Sequence, residues 1–164
     1  MYSRRKVAIL AGCLLADSAF ASDAFRTPFD LHLEIDEGRY YEEHFEHMPY
    51  VAEDAVYLFK GDEFGVKLST GSSGSTVVEY QANLDKSDVT FKLSQMADET
   101  GRAMMVLVIR NRTRRELDMK ALMTVPGEKG VFPTTIASVQ AGLTGYESWP
   151  HPIVQLCLSS FRLR

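Results

Sequence analysis

Phe29-Asp30-Leu31-His32-Leu33-Glu34-Ile35-Asp36 decides the fold class, because apolar and polar residues alternate through it without a slip. Successive side chains of a strand point to opposite faces, so a period of two writes one buried face and one solvated face. The same rhythm returns in Phe64, Val66 and Leu68, in Val89, Phe91 and Leu93, and in Leu117, Met119, Ala121, Met123 and Val125. It closes with Val154, Leu156 and Leu158. Residues 104–109 are apolar throughout, which predicts a central strand covered on both faces. Turn chemistry separates these runs at Glu37-Gly38, at Lys60-Gly61-Asp62 and in the stretches 70–75, 83–88, 98–101 and 126–130. Short strands at this spacing, without long helical patterns, predict an all-β domain. The architecture they fit is an antiparallel β-sandwich of immunoglobulin-like type, with a closed barrel as the alternative. The Cys…Trp…Cys spacing of antibody domains is absent, so the expectation concerns architecture alone.

Residues 40–48 resist the pattern. They read as a strand, or as a two-turn helix that places Tyr41, Phe45 and Met48 on one face before Pro49 ends it. Hairpin chemistry favours the strand. A three-residue loop wants its last residue in the left-handed region, and Asp36-Glu37-Gly38 offers glycine there. That register pairs Leu33 with Tyr41 and Phe29 with Phe45 on the core face. On the opposite face it sets Asp30 across from His44 and His32 across from Glu42, with Glu34 and Glu46 nearby. Imidazoles and carboxylates on a rigid ribbon are ligands that Zn²⁺ or Cu²⁺ accepts. The helical alternative would join His44 to His47. The competing reading is a solvent face whose histidines and acids form ordinary cross-strand pairs.

The first two dozen residues read as an address. Arg4, Arg5 and Lys6 precede an apolar run over residues 7–16, and Ala19-Phe20-Ala21 before Ser22 fits the small-x-small cleavage rule. Asp17 and Ser18 break the run too early for a membrane span, which needs roughly 20 apolar residues. Residues 1–21 are therefore expected to be a signal peptide and 22–164 a single domain, periplasmic or secreted. A lipid anchor at Cys13 is the alternative, since Leu10-Ala11-Gly12-Cys13 matches a lipobox. Cleavage at Ser22 would leave Cys157 as the single thiol and exclude an internal disulfide. It would also change 18 basic against 22 acidic residues into 15 against 21. An acidic domain is poorly suited to general nucleic-acid binding, which rests on neutralising phosphates.

Two further segments stand out. Arg110-Asn111-Arg112-Thr113-Arg114-Arg115 lies between two predicted strands and reads as a surface turn. Arg110, Arg112, Arg114 and Arg115 could grip phosphate or carboxylate groups, or simply be solvated and keep a hairpin from edge pairing. Asn111-Arg112-Thr113 is formally a glycosylation sequon, expected to be unused. Residues 142–152 carry two glycines, two prolines and the single tryptophan, and read as a shaped loop. Tyr146, Trp149 and His151 on it could bind a partner. The competing reading has Tyr146 and Trp149 capping the core with their polar tips at its rim.

No catalytic set stands out. A Gly-x-Ser-x-Gly elbow is missing, and Cys157 alternates inside an apolar strand as an inert thiol would. A hydrolase whose residues meet only in the fold, around His151 or His32, stays open. The expectation is a non-catalytic exported domain with a recognition or envelope-assembly role and a protein or envelope partner, without a cofactor. The alternative is a metal-binding protein or metalloenzyme using His32, His44, His47, Glu42 and Asp30.

Overall fold

A computed structural model describes residues 24–164. Residues 1–21, expected to be a signal peptide, and the lipobox candidate Cys13 lie outside the described residues. The strands in chain order are β1 (Phe29–Asp36), β2 (Arg39–Phe45), β3 (Val51–Ala52), β4 (Ala55–Leu58), β5 (Glu63–Thr70) and β6 (Thr76–Gln81). They continue with β7 (Val89–Ala97), β8 (Ala103–Asn111), β9 (Leu117–Thr124), β10 (Phe132–Thr134), β11 (Thr144–Trp149) and β12 (Gln155–Leu163). A 3-10 turn, Leu84–Lys86, has its Asp85 and Lys86 amides capped by the Asn83 side chain.

The chain is all-β, and every strand pairing is antiparallel. One five-stranded sheet runs β10-β9-β12-β4-β3, the other β11-β8-β7-β5-β6, and β1-β2 form a separate ribbon. The inward sets of both sheets meet in a single hydrophobic core that includes Leu58, Phe64, Phe91, Leu93, Leu107, Ile109, Leu117, Leu156 and Leu158. Phe91 of one sheet meets Phe161 of the other edge to face, with ring centres 6.2 Å apart. Two sheets sharing one core is the layered arrangement of a sandwich. Among the described residues no helix is long and apolar enough to cross a membrane.

The first hairpin has the register that its glycine implies. Phe29 faces Phe45, Asp30 faces His44, His32 faces Glu42 and Leu33 faces Tyr41. Gly38 takes φ +74°, but Asp36 pairs with Arg39, so the turn is the two residues Glu37-Gly38 and not the expected three. The odd residue lies in a bulge between Glu34 and Asp36 that keeps the expected register. Residues 40–45 are thus strand, and the helical alternative falls.

Three expectations need correction. First, β8 is an inner strand, between the edge strand β11 and the central β7, but within residues 104–109 only the inward Met105, Leu107 and Ile109 are fully buried; outward-pointing Met104, Val106 and Val108 remain half-buried. The continuous apolar run therefore marks an apolar outer face, without a second layer among the described residues. Second, residues 112–116 do not close a hairpin. They carry the chain from β8 in one sheet to β9 in the other, and Arg110 and Asn111 still belong to β8. Third, residues 144–149 are a strand paired along β8, not a loop. Its inward set is Gly145, Glu147 and Trp149, only one of them a large apolar group, so the period-two signal is absent there.

A buried ion pair locks the start of the described chain. The Arg26 side chain is 5% exposed and lies over the Tyr50 ring, 4.0 Å from its centre. Its Nε donates to Asp62 Oδ1 at 3.1 Å and Nη2 to Asp62 Oδ2 at 2.5 Å. Nη1 donates to the Pro49 carbonyl and Nη2 to the Tyr57 carbonyl, each at 2.6 Å. Asp62 Oδ2 also accepts the Phe59 amide at 2.7 Å, so both charges are well supplied with partners. Burial of this kind holds only when such partners are in place.

The β7–β8 turn is set by one carboxylate. Asp98 Oδ1 accepts from the Thr100 hydroxyl at 2.7 Å, the Thr100 amide at 2.8 Å and the Arg102 amide at 2.9 Å. Hydrogen bonding to the Thr100 hydroxyl comes first, then the Arg102 amide, in lowering its pKa to about 2, from an ordinary value of about 3.9. A lowered carboxyl pKa adds stability above the unfolded value and loses it as pH falls through the folded one. We expect the Asp98 carboxyl resonance to titrate near pH 2, with the turn loosening between about pH 4 and 2. A midpoint at the ordinary value would contradict this geometry.

Candidate functional site

Pairing of β11 with β8 joins the aromatic segment to the arginine segment. Thr144 lies opposite Arg110, Tyr146 opposite Val108 and Ser148 opposite Val106. Opposed residues share a face, so Tyr146 and Arg110 are diagonal neighbours on the outer face of the sheet. Tyr146 is 71% exposed, and Arg110 is exposed as well. Around them lie the half-buried Val106 and Val108, with Lys92 beyond Val108 on β7. Lys92 is held by Glu63 at 3.0 Å. The result is an apolar strip with an aromatic ring at its edge and a guanidinium beside it, able to take an apolar group next to an anion.

The other sequence candidates separate from this face. Trp149 is 7% exposed and points inward, its indole N–H donating to Thr134 Oγ1 at 2.8 Å. It belongs to the core, as the capping reading required of it. Tyr146 does the opposite. His151 is half-buried, and its Nδ1 lies 3.2 Å from the Pro152 carbonyl oxygen. Arg112 is engaged by the 3-10 turn: Nη1 donates to the Leu84 carbonyl, and Nη2 lies 3.7 Å from Asp85. Arg115 donates to the Leu163 carbonyl near the end of β12. Arg114 is exposed on the crossover. Four arginines adjacent in sequence thus have divergent duties, and Arg110 is the one that shares a sheet face with Tyr146.

Asn111 is wholly buried. Its amide donates to the carbonyls of Arg115 at 2.8 Å and Val139 at 2.9 Å, while Oδ1 accepts the Thr113 amide and hydroxyl. The sequon asparagine is a bracket for the crossover, and its nitrogen has no room for a glycan.

On the β1–β2 ribbon the histidines form two separate pairs. His44 Nδ1 lies 2.7 Å from Asp30 Oδ1 and its Nε2 3.6 Å from Glu46, while His32 Nδ1 lies 3.0 Å from Glu42. The hydrogen bond that the His44 ring donates to the Asp30 carboxylate raises the pKa of His44. The His32 ring stacks on Tyr40 with centres 4.5 Å apart. His47 is exposed beyond the end of β2. Among the described residues no group of three His, Cys, Asp or Glu side chains is placed to hold a metal ion. Cys157 is half-buried on β12 between β4 and β9, and burial pushes its thiol pKa up, which disfavours the reactive thiolate.

A depression between the β3–β4 turn and β12 was not foreseen. It is lined by Glu53, Asp54, Ser75, Thr76, Ser160 and Arg162 among others. The described non-glycine residues with positive φ all fall here: Glu53 at +50°, Asp54 at +58° and Ser160 at +55°. Glu53 and Asp54 are the two-residue turn between β3 and β4, and Ser160 sits in the irregularity where β12 pairs with β9. Asp54 Oδ1 accepts the Val78 amide at 3.0 Å, so this turn stitches the sheet containing β3 to β6 of the other. The strain has a structural use.

Comparison with protein families, with curated proteins and with solved structures finds no match.

Proposed function

We propose that this chain is an exported, non-catalytic β-sandwich of immunoglobulin-like type that recognises a protein or envelope component through the Tyr146–Arg110 face. Export rests on the basic-apolar-small pattern of residues 4–22, and a periplasmic or secreted location follows from it. Recognition rests on one observation. A strand that buries its tryptophan turns a tyrosine outward beside an arginine and two half-buried valines. Exposed tyrosine and arginine next to apolar surface are the residue types that anchor protein contacts.

The test is affinity capture from an envelope fraction with the wild-type domain and with the Tyr146→Ala, Arg110→Gln double variant. The variant is expected to lose captured partner by about tenfold or more, the scale of a hot-spot residue, with its melting temperature nearly unchanged. Equal capture by both proteins would overturn the assignment of this face. No specific observation favours the metal-binding alternative over this reading.

A further inference from the structure

The backbone of β11 carries information beyond its side chains. The Asn111 amide donates to the Leu143 carbonyl at the head of the β11–β8 ladder. In an antiparallel pair the bonded residues alternate, so Gly145, Glu147 and Trp149 turn their backbone groups toward β8. Thr144, Tyr146 and Ser148 turn theirs to the free edge, where they meet no hydrogen-bond partner among the described residues.

The other three edges of the two five-stranded sheets are blunted. At β6 the Asp54 carboxylate occupies the Val78 amide. β10 is three residues long with Pro133 in its middle, and β3 has only two residues. Short edges, prolines and covered amides are how sheets avoid unwanted pairing. β11 has six residues, no proline and no lysine. Its one charged residue, Glu147, points inward and accepts the Ala137 amide at 2.7 Å.

We infer that the free edge of β11 is a docking strand for an extended segment of a partner polypeptide, with an acidic side chain opposite Thr144. This rests on the recognition reading above. Strand addition uses outward backbone groups for affinity and alternate side chains for specificity. The acidic requirement comes from charge complementarity. On or near this face Lys92 is paired with Glu63, Lys67 lies 2.9 Å from Asp88 and Arg112 lies near Asp85. Exposed Arg110 meets no carboxylate among the described residues. An added strand would run about 10 Å from β8, two strand spacings away. The small Thr144 side chain lies between them, so the long Arg110 stem can pass over it. Tyr146 would then pack on the partner residue directly opposite. A second copy of this chain fits less well: pairing β11 with itself about Tyr146 sets Thr144 against Ser148 and brings no acid to Arg110.

The test is selection of displayed random peptides on the mature domain, with Ser148→Pro as the counter-selected control. The substitution removes only an outward N–H, a position where an edge strand tolerates proline. Thr144→Pro, at the first residue of the strand, is the second control should the other fail to fold. Enriched peptides should alternate small or apolar residues about one Asp or Glu, and bind either proline variant at least about tenfold more weakly. Replacing that acid by its amide should weaken binding about fivefold to the wild type, and not at all to Arg110→Gln. Absence of enrichment over the proline controls, or enriched peptides without an acid, would overturn the inference. So would a concentration-dependent dimer that either proline variant abolishes, since the edge would then serve a second copy. If partner capture needs Tyr146 and Arg110 but survives Ser148→Pro, the face binds without strand addition; the recognition reading then stands and this inference fails.

Discussion

Arg26→Ala should lower the folding stability by about 3–5 kcal/mol, the cost of leaving a buried charge without its partner. Asp62 would keep a largely buried carboxylate that has lost both guanidinium contacts, while the Pro49 and Tyr57 carbonyls would each lose a donor. The ring contact with Tyr50 would go as well. For a domain of this size the change corresponds to a melting temperature lower by about 10–15 °C. Asp62→Ala should cost a similar amount. The double variant should fall short of the sum, because groups in one network do not contribute independently. Urea unfolding of the four proteins measures all three values. Losses below about 1 kcal/mol, the range of exposed pairs, would show that the pair is solvated.

Trp149→Ala and Tyr146→Ala should differ sharply, although the two residues lie on the same strand. Trp149 fills the core and carries a hydrogen bond to Thr134, so truncation should cost about 3–5 kcal/mol. Trp149→Phe keeps most of the apolar volume and should lose about 1 kcal/mol, chiefly through the missing N–H donor. Tyr146 stands out from the sheet, and its truncation should stay within about 0.5 kcal/mol of the wild type. Thermal unfolding of the three variants decides the matter. Equal losses at Tyr146 and Trp149 would mean that both faces of β11 are covered.

These two residues also show what the sequence could and could not convey. The strands legible in it, from Phe29–Asp36 to the run around Leu156, put large apolar groups at alternate positions, because their inward faces fill the middle of the core. β11 does not. Gly145 is held small by Val139, whose Cγ2 would lie 2.8 Å from an added Cβ, and Glu147 is spent on the Ala137 amide. Only the β-formers Thr144, Tyr146 and Trp149 hint at a strand, and the flanking Gly142 and Pro150 pointed to a loop instead. β3 and β10 are too short to show a period.

The hairpin register was legible for a different reason. Gly38 determines the turn, and everything opposite it follows, including the His32–Glu42 and His44–Asp30 pairs. The arginine cluster was visible as composition, but its division of labour was not. Which guanidinium faces Leu84, which faces Leu163 and which shares a face with Tyr146 depends on the crossover between sheets, a long-range feature that local spacing does not encode. The Arg26–Asp62 pair was missed altogether. A lone arginine and a turn aspartate 36 residues apart carry no local signature.

Amide hydrogen exchange along residues 144–149 tests the open edge most directly. Gly145, Glu147 and Trp149 should exchange slowly and Thr144, Tyr146 and Ser148 fast, in strict alternation, as expected when one side of a strand is paired and the other vacant. Uniform protection along the strand would mean that its outer edge is already occupied, and uniform rapid exchange would mean that β11 is not a strand at all.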